Sequence, residues 1–275
     1  MNHYDPNWVT EFFDEYADKE WYRWEEALSQ EVSFCVHRHW LEQHVKRGDR
    51  VLEVGAGAGR FTQVLAALKV RIVVADISAV QLDLNRRHAE ELEFEQAVEE
   101  RVQLDMCDMS MLDDGSFDVV VCYGGPLSYV FERRDVALRE ILRVLKKGGK
   151  ALLSVMSLWG GAHHYLPAVL ALPPTDNAEI IRTGDLCPET VKESNHNCHM
   201  FRSSELWNLL EEGGAEVLNM SASNCLSAVW GDSLDGIRDD SAKWSELLKM
   251  ELEACQQPGC LDLGTHMIAV VRKKS

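Results

Sequence analysis

Basic residues are scarce in this sequence: 28 Lys and Arg stand against 45 Asp and Glu among 275 residues, a net charge of −17. With no basic footprint, neither nucleic acid nor an anionic membrane surface is an expected partner, and a small molecule or a basic partner fits better. Long apolar runs are missing as well. No segment approaches eighteen uninterrupted apolar residues, and no positively charged stretch leads into an apolar one at the N-terminus, so a cytoplasmic location is expected. The eight cysteines (Cys35, Cys107, Cys122, Cys187, Cys198, Cys225, Cys255 and Cys260) are scattered rather than paired, and several fall in apolar stretches where a reduced thiol packs as a small hydrophobe. Disulfides are not implied. His196-Asn197-Cys198-His199 is the tightest metal-like cluster, but it offers one half of a zinc pairing pattern, so no metal is expected. Internal repeats and low-complexity segments are also absent, and nothing specifies an oligomeric state.

What is present is organised around residues 50–62, RVLEVGAGAGRFT. Val51, Leu52 and Val54 read as a buried strand, and Phe61, Val64, Leu65 and Leu68 restart the apolar pattern at helical spacing. Between them Gly55, Gly57 and Gly59 allow a tight turn and a close backbone approach to a ligand. A dinucleotide fingerprint needs G-x-G-x-x-G, but from Gly55 the frame gives Gly57 and then Arg60. Glu53 adds a carboxylate beside the loop, which suits a cation better than a pyrophosphate. The ligand is therefore expected to carry positive charge and no phosphate. A second strand, 71–76, ends in Asp76, 21 residues beyond Gly55, where a carboxylate can accept hydrogen bonds from both hydroxyls of a ribose. Dinucleotide folds share that feature.

The glycine stretch resembles the first motif of the class I S-adenosylmethionine-dependent methyltransferases, (V/L)-L-(E/D)-x-G-x-G-x-G, with Glu53, Gly55, Gly57 and Gly59 matching it one for one. The resemblance implies that Ala56 also lies in the cofactor loop, that Asp76 binds the ribose and that Ile77 neighbours the adenine. After a third short strand, 101–106, it places Asp105 and Met106 beside the adenine, with Asp108 as the alternative because the spacing to the next strand is one residue long. Residues 113–126, DDGSFDVVVCYGGP, are a further characteristic segment of the family. There Asp118 pins the strand entry, and Cys122 and Tyr123 reach the edge that faces the methyl group. GPLSYV at 125–130 is similar to a G-P-L-Y-H-L stretch of some members, but Ser128 and Tyr129 replace its Tyr-His pair. The fifth strand, 151–156, follows a helix over 133–145 that glycine at Lys147-Gly148-Gly149 is expected to cap.

Strand and helix alternate five times at this spacing, which predicts an α/β fold: a Rossmann-like, doubly wound seven-stranded sheet with its ligand crevice at the strand carboxyl ends. By resemblance the last strand is antiparallel. Residues 1–45 are expected to form an N-terminal helical lid, helical over 8–45 with Asn7 as cap. Residues 46–275 form the methyltransferase domain. Two inserts, 157–202 and 222–263, break the rhythm and are expected to cap the substrate. The first is read as a long connection with one helix; Ser203 then caps the helix that follows. The acidic run Glu90, Glu91, Glu93, Glu95 reads as a solvated face.

By resemblance the lid brings Tyr16, Trp21, Tyr22 and Trp24 toward the sulfonium, and these with Tyr129 are the candidate substrate contacts. The bland reading of any one aromatic is a core anchor. The implied reaction moves the sulfonium methyl by in-line displacement to an N, O or S nucleophile of a small molecule. If a base is needed, His163, His164, His199 and His37 are candidates by opportunity, with Tyr129 beside them. Other chemistry of the same cofactor, cyclisation or aminocarboxypropyl transfer, and a non-catalytic cofactor-binding module remain as rivals. Arg60 and Glu53 disfavour a dinucleotide oxidoreductase.

Overall fold

A computed structural model describes residues 3–191, 194 and 196–274. Residues 192, 193 and 195 of the expected first insert, and residues 1 and 2 of the expected lid, lie outside the described residues. The chain begins with α1 (Pro6–Tyr16), α2 (Lys19–Tyr22) and α3 (Leu28–His44). It continues through β1 (Arg50–Val54), α4 (Arg60–Ala67), β2 (Arg71–Asp76), α5 (Ala79–Glu91), β3 (Val98–Gln103), β4 (Phe117–Cys122), α6 (Arg134–Val144) and β5 (Leu145–Met156). The first insert holds α7 (Leu158–His164), α8 (Leu166–Ala171), α9 (Pro174–Thr183) and a small ribbon of β6 (Asp185–Leu186) and β7 (Cys198–His199). Then come α10 (Ser203–Glu212), β8 (Ala215–Ala222), α11 (Ser241–Ala254) and β9 (His266–Lys273).

The main sheet has seven strands in the order β3-β2-β1-β4-β5-β9-β8. β3 through β5 pair in parallel, whereas β9 runs antiparallel to both β5 and β8. The predicted sheet is therefore present, its last strand reversed. Each central strand is apolar on both sides because both faces are covered. Leu52, Val54, Val73, Val120 and Leu153 pack with α6 and α10, while Val51, Val74, Val121 and Leu152 pack with α3 and α4. The order reverses between β1 and β4, and that switch point opens the crevice at their carboxyl ends. No described helix is long and apolar enough to cross a membrane.

Several local expectations are corrected. The span 8–45 is three helices rather than one: Ala17 adopts φ 48, a left-handed conformation that a helix interior does not accept, and breaks α1 from α2. Asp5, not Asn7, caps α1, accepting from the backbone N–H groups of Asn7 and Trp8, with Pro6 in the first turn. α6 has no glycine cap. It stops at Val144, where Gly115 and Ser116 donate to the carbonyls of Arg143 and Val144, and Gly148 (φ 72) instead turns the chain within β5. The third strand lies over 98–103 rather than 101–106. Beyond it the Asp105 carboxylate binds the N–H of Cys107 and holds a loop. Ser203 does not cap α10; its N–H and hydroxyl both donate to Asp262 from the second insert, at 2.8 and 2.5 Å. The first insert carries three helices where one was read, because periodic segments of six to ten residues between prolines escape an apolar-periodicity search.

Candidate functional site

At the carboxyl end of β1 the chain turns through Gly55 (φ 65), Gly57 (φ 54) and Gly59 (φ 102) into α4. Each glycine is required by space as well as by backbone. A Cβ on Gly55 would lie 2.3 Å from Pro126 Cγ, one on Gly57 2.8 Å from Glu20 Cγ, and one on Gly59 2.8 Å from Asn85 Nδ2. The loop is tied to β2 by Gly55 N–H and Ala56 N–H donating to the Ala75 carbonyl, at 2.8 and 3.2 Å. Asp76 completes the tie. One carboxylate oxygen accepts from Gly57 N–H and the other from Ser78 N–H, both at 2.9 Å.

Beneath the loop Glu53 is buried, accepts from Thr62 Oγ1 at 2.6 Å, and is pushed up to about 8 by burial, which the Thr62 bond only partly offsets. Asp76 is likewise pushed up to about 6 by burial, opposed by the two backbone N–H groups. Glu20, from α2, reaches over the same loop and pairs with Arg23 at 2.7 Å; burial raises its pKa and Arg23 opposes the rise. Three carboxyl groups thus converge on one turn; burial shifts each toward its neutral form, Glu53 furthest, while Arg23 keeps Glu20 paired. A cationic ligand would reverse that balance.

The cleft above the loop, with its open mouth, spans about 630 Å³ and is walled by Val54, Asp76, Ile77, Met106 and Tyr129, with Tyr4, Val9 and Phe13 of the N-terminal segment lining it as well. A second, larger cavity of about 1890 Å³ lies under α7, α8 and α9. Phe13, Glu20, Gly124 and Tyr129 line both, so the two spaces meet at that aperture.

The structure brings Glu53, Gly55, Ala56, Gly57, Gly59, Asp76, Ile77, Met106 and Tyr123 together around the loop and cleft. Asp105 sits behind the cleft wall, one oxygen accepting from Tyr4 Oη at 2.8 Å and from Cys107 N–H at 2.7 Å. Asp108 is exposed and accepts from Ser110 N–H, away from the cleft. Cys122 does not face the cleft: strand alternation turns it into the opposite core, where burial pushes its thiol up to about 12, and puts Tyr123 on the cleft side. Asp118 does pin the strand entry, accepting from Arg50 N–H and Lys146 Nζ at 2.9 and 2.7 Å.

Of the aromatic candidates, Tyr16 and Tyr129 line the larger cavity. Trp21 is buried against Ala58 and Leu84 under the Arg60 guanidinium, Trp24 packs edge-on to Phe61 in the core, and Tyr22 is 56 % exposed. The histidine candidates also separate. His163 is exposed, and His164 is bonded to the Ala228 carbonyl at 2.6 Å. His37 is sealed in the core with Nδ1 on the Ser33 carbonyl, and burial pushes it down to about 3. His199 is held from both sides, by Asp185 at 2.7 Å and Glu205 at 2.8 Å; burial pulls its pKa down but the two carboxylates outweigh it and raise it. Both nitrogens are occupied as donors, which makes it a structural cation. None of these four lines the larger cavity. Among the described residues, no group of three or more His, Cys, Asp or Glu is arranged to hold a metal.

Glu20, Arg23, Tyr4 and His266 were not picked out by sequence reasoning, and His196 only as part of a metal-like cluster. Glu20 and Arg23 flank Trp21 and Tyr22 in a stretch read for its aromatics, and the acid–base spacing of three residues was the available signal. His266 carries no local signal, and nothing local points His196 at a cavity; the fold alone puts both in the cavity wall.

Comparison with known proteins agrees with this geometry. Residues 51–149 match a family described as a methyltransferase domain. A demethylmenaquinone methyltransferase of Clavibacter sepedonicus is 36 % identical over 112 residues, 40 % of this chain and 42 % of that protein. A ubiquinone biosynthesis O-methyltransferase of Xanthomonas oryzae is 29 % identical over 163 residues, 52 % of this chain and 65 % of that protein. The chain spans about half the length of the curated relatives it matches. A 1,6-didemethyltoxoflavin-N1-methyltransferase from Burkholderia thailandensis, solved with 1,6-didemethyltoxoflavin and S-adenosylhomocysteine bound, superposes with a TM-score of 0.57 at 14 % identity, covering 98 % of this chain and 88 % of that one. That likeness is one of fold.

Proposed function

We propose that residues 51–149, which match a family described as a methyltransferase domain, form a class I S-adenosylmethionine-dependent domain, and that the protein moves the sulfonium methyl of S-adenosyl-L-methionine to an N, O or S nucleophile of a small molecule. The observation that carries the proposal is the junction of two spaces at one aperture. One is a narrow, acid-lined cleft over the glycine turn; the other is a large apolar cavity.

The residues present fit the cofactor. Gly55 and Gly57 bring bare backbone to the cleft wall, and Asp76, which also lines the cleft, has carboxylate lone pairs for a ribose beyond those its backbone N–H partners use. Ile77 and Met106 give an adenine apolar faces. Glu53 and Asp76 favour a ligand with net positive charge and oppose a pyrophosphate. When bound, S-adenosylmethionine supplies an activated methyl group whose transfer neutralises a charge on sulfur. The chain's own part is positional. Phe13, Glu20, Gly124 and Tyr129 frame the aperture, Tyr123 and Pro126 stand in the cleft wall, and the Tyr4–Phe13 segment closes the cleft against water.

In this reading residues 1–45 act as the lid and the inserts 157–202 and 222–263 as the cap; Tyr16 and Tyr129 are the acceptor contacts. A small acceptor is supported by relatives named for demethylmenaquinone and for ubiquinone biosynthesis. The acidic surface supports the exclusion of nucleic acid, and eight free cysteines support a reducing, cytoplasmic setting.

Calorimetry with S-adenosylhomocysteine, S-adenosylmethionine and NAD tests the first half: the adenosyl thioether and its sulfonium parent are expected to bind and NAD to fail. Carbon-13 in the cofactor methyl tests the second. Its appearance in a methylated product is expected, whereas turnover that leaves the label on sulfur would favour cyclisation or aminocarboxypropyl transfer, and binding without any consumption would favour a non-catalytic module.

A further inference from the structure

Tyr129 forms part of the wall common to the cleft and the larger cavity, and its hydroxyl lies 3.1 Å from His196 Nε2 across 67 residues of sequence. The pair is held from several directions. Phe12 meets the His196 ring edge-on at 5.5 Å, and Phe13 meets Tyr129 edge-on at 5.2 Å. The backbone of His196 is pinned at both ends by Ser194, whose hydroxyl donates to the His196 carbonyl at 2.6 Å and accepts from its N–H at 3.2 Å. We propose that this couple takes the proton from the acceptor, and that the acceptor is a phenol or enol hydroxyl carried on a largely apolar body. The inference rests on the methyl-transfer reading of the same site.

The body is read from the cavity. Its lining is dominated by side chains such as Phe12, Met156, Leu158, Val169, Leu172 and Ile180. Among the described residues, the Asp, Glu, Lys and Arg groups lining it are Glu20, Arg23 and Glu26. Glu20 and Arg23 neutralise one another at 2.7 Å, and Glu26 is exposed. A protonated amine would find no free buried carboxylate there, so a neutral acceptor is favoured.

The nucleophile is read from the couple. A thiol ionises close to neutral pH without help, whereas a phenol holds its proton to about pH 10 and has to lose it during the reaction. Burial keeps His196 below its ordinary pKa and therefore neutral at pH 7, able to accept a hydrogen bond from the Tyr129 hydroxyl. That leaves the Tyr129 oxygen with lone pairs to accept from the acceptor hydroxyl. As an oxygen lone pair forms the new O–C bond and the C–S bond breaks, its electron pair returning to sulfur, the acceptor proton passes to Tyr129 Oη and the Tyr129 proton passes to His196 Nε2. The imidazolium then gives that proton to solvent when product leaves. A weak base suffices, because an oxygen being alkylated becomes a strong acid. The other titratable or charged groups facing the couple are Glu20 of α2, Arg23 just beyond it, Tyr16 of α1, Cys198 of β7 and His266 of β9. Burial keeps Tyr16 and Cys198 protonated and His266 neutral, and Glu20 stays paired with Arg23, so His196 is the group whose charge changes. Tyr129 would touch the acceptor; His196 acts through it and is a positioning residue.

The test offers the full-length protein 4-hexylphenol, 4-hexylaniline and 4-hexylthiophenol with methyl-labelled cofactor, together with the variants His196→Gln and Tyr129→Phe. Label is expected on the phenol oxygen. Gln keeps a hydrogen-bond acceptor for Tyr129 but cannot take its proton, so His196→Gln should keep KM and cofactor affinity while kcat falls roughly 100-fold or more. Its rate should then climb with pH toward the acceptor's own pKa, and a more acidic nitrophenol should restore much of it. Tyr129→Phe should fall similarly and show the same rescue. Label on the aniline in preference to the phenol, cofactor binding with no label on the phenol, or a His196→Gln variant with native kcat would each overturn the inference. Failure of the native protein to bind the cofactor would sink the underlying reading along with it.

Discussion

Replacing Gly55 by alanine isolates what the glycine turn contributes. The residue sits at φ 65, where a side chain adds about 1–2 kcal/mol of backbone strain. The new Cβ would also lie 2.3 Å from Pro126 Cγ and 2.9 Å from Pro126 Cβ, in a ring that cannot rotate aside. Forcing one extra methyl into such a contact adds roughly 1–3 kcal/mol, so the variant should lose about 2–5 kcal/mol in all. Gly48 is the control, since it has φ 88 and a Cβ added there would meet nothing within 4 Å, leaving strain as the cost. Urea unfolding of Gly55→Ala and Gly48→Ala should therefore differ by roughly 1–3 kcal/mol, the contact term alone. Because the strain at Gly55 is relieved by moving the loop away from Pro126, calorimetry should also show at least tenfold weaker binding of S-adenosylhomocysteine, with Gly48→Ala unchanged. Equal stabilities for the two variants, or native affinity in Gly55→Ala, would refute the steric account of the cradle.

Glu53 makes a pH prediction. Its folded pKa of about 8 exceeds the ordinary 4.5, so the folded state holds the extra proton between those values and stability should fall as pH rises from about 4.5 to 8; Glu53→Gln should flatten that slope in urea titrations. A bound cation favours the carboxylate, so S-adenosylmethionine should release protons at pH 7, seen as a binding enthalpy that depends on the buffer. His199→Gln, which removes the imidazolium from between Asp185 and Glu205, should cost about 3–5 kcal/mol and speed amide exchange across the β6–β7 ribbon while leaving cofactor affinity unchanged. In the native protein the His199 contribution is full below pH 6.5 and is lost as pH rises through its raised pKa. Trp24→Ala should cost about 3–5 kcal/mol through a core cavity, and Tyr22→Ala under about 0.5 kcal/mol, both with unchanged acceptor KM.

The parts of the site that were legible in the sequence are those where backbone conformation or charge leaves a local mark. Gly55, Gly57 and Gly59 stand out because a side chain there would be strained at positive φ and crowded by Pro126, Glu20 or Asn85, and Glu53 and Asp76 because a carboxylate at a buried strand's end is costly without a purpose. The strand–helix alternation was readable because strands buried on both faces must be apolar throughout. Aromatic side chains were harder to sort. Trp21, Trp24 and Tyr22 resemble Tyr16 in sequence, and their separation into core, core, surface and cavity depends on the break at Ala17, a backbone event without a glycine or proline to announce it.

The sequence alone determined the sheet and the glycine turn and set the expectation of a positively charged ligand, since each follows from the short-range rules of backbone sterics, periodic burial and local charge. Tertiary structure decided everything that depends on residues far apart in the chain meeting. It alone brought Glu20 over Gly57, moved His199 out of contention by setting it between Asp185 and Glu205, and placed His196 on Tyr129. Such encounters are settled by the packing of whole elements, whose outcome no short window of sequence contains.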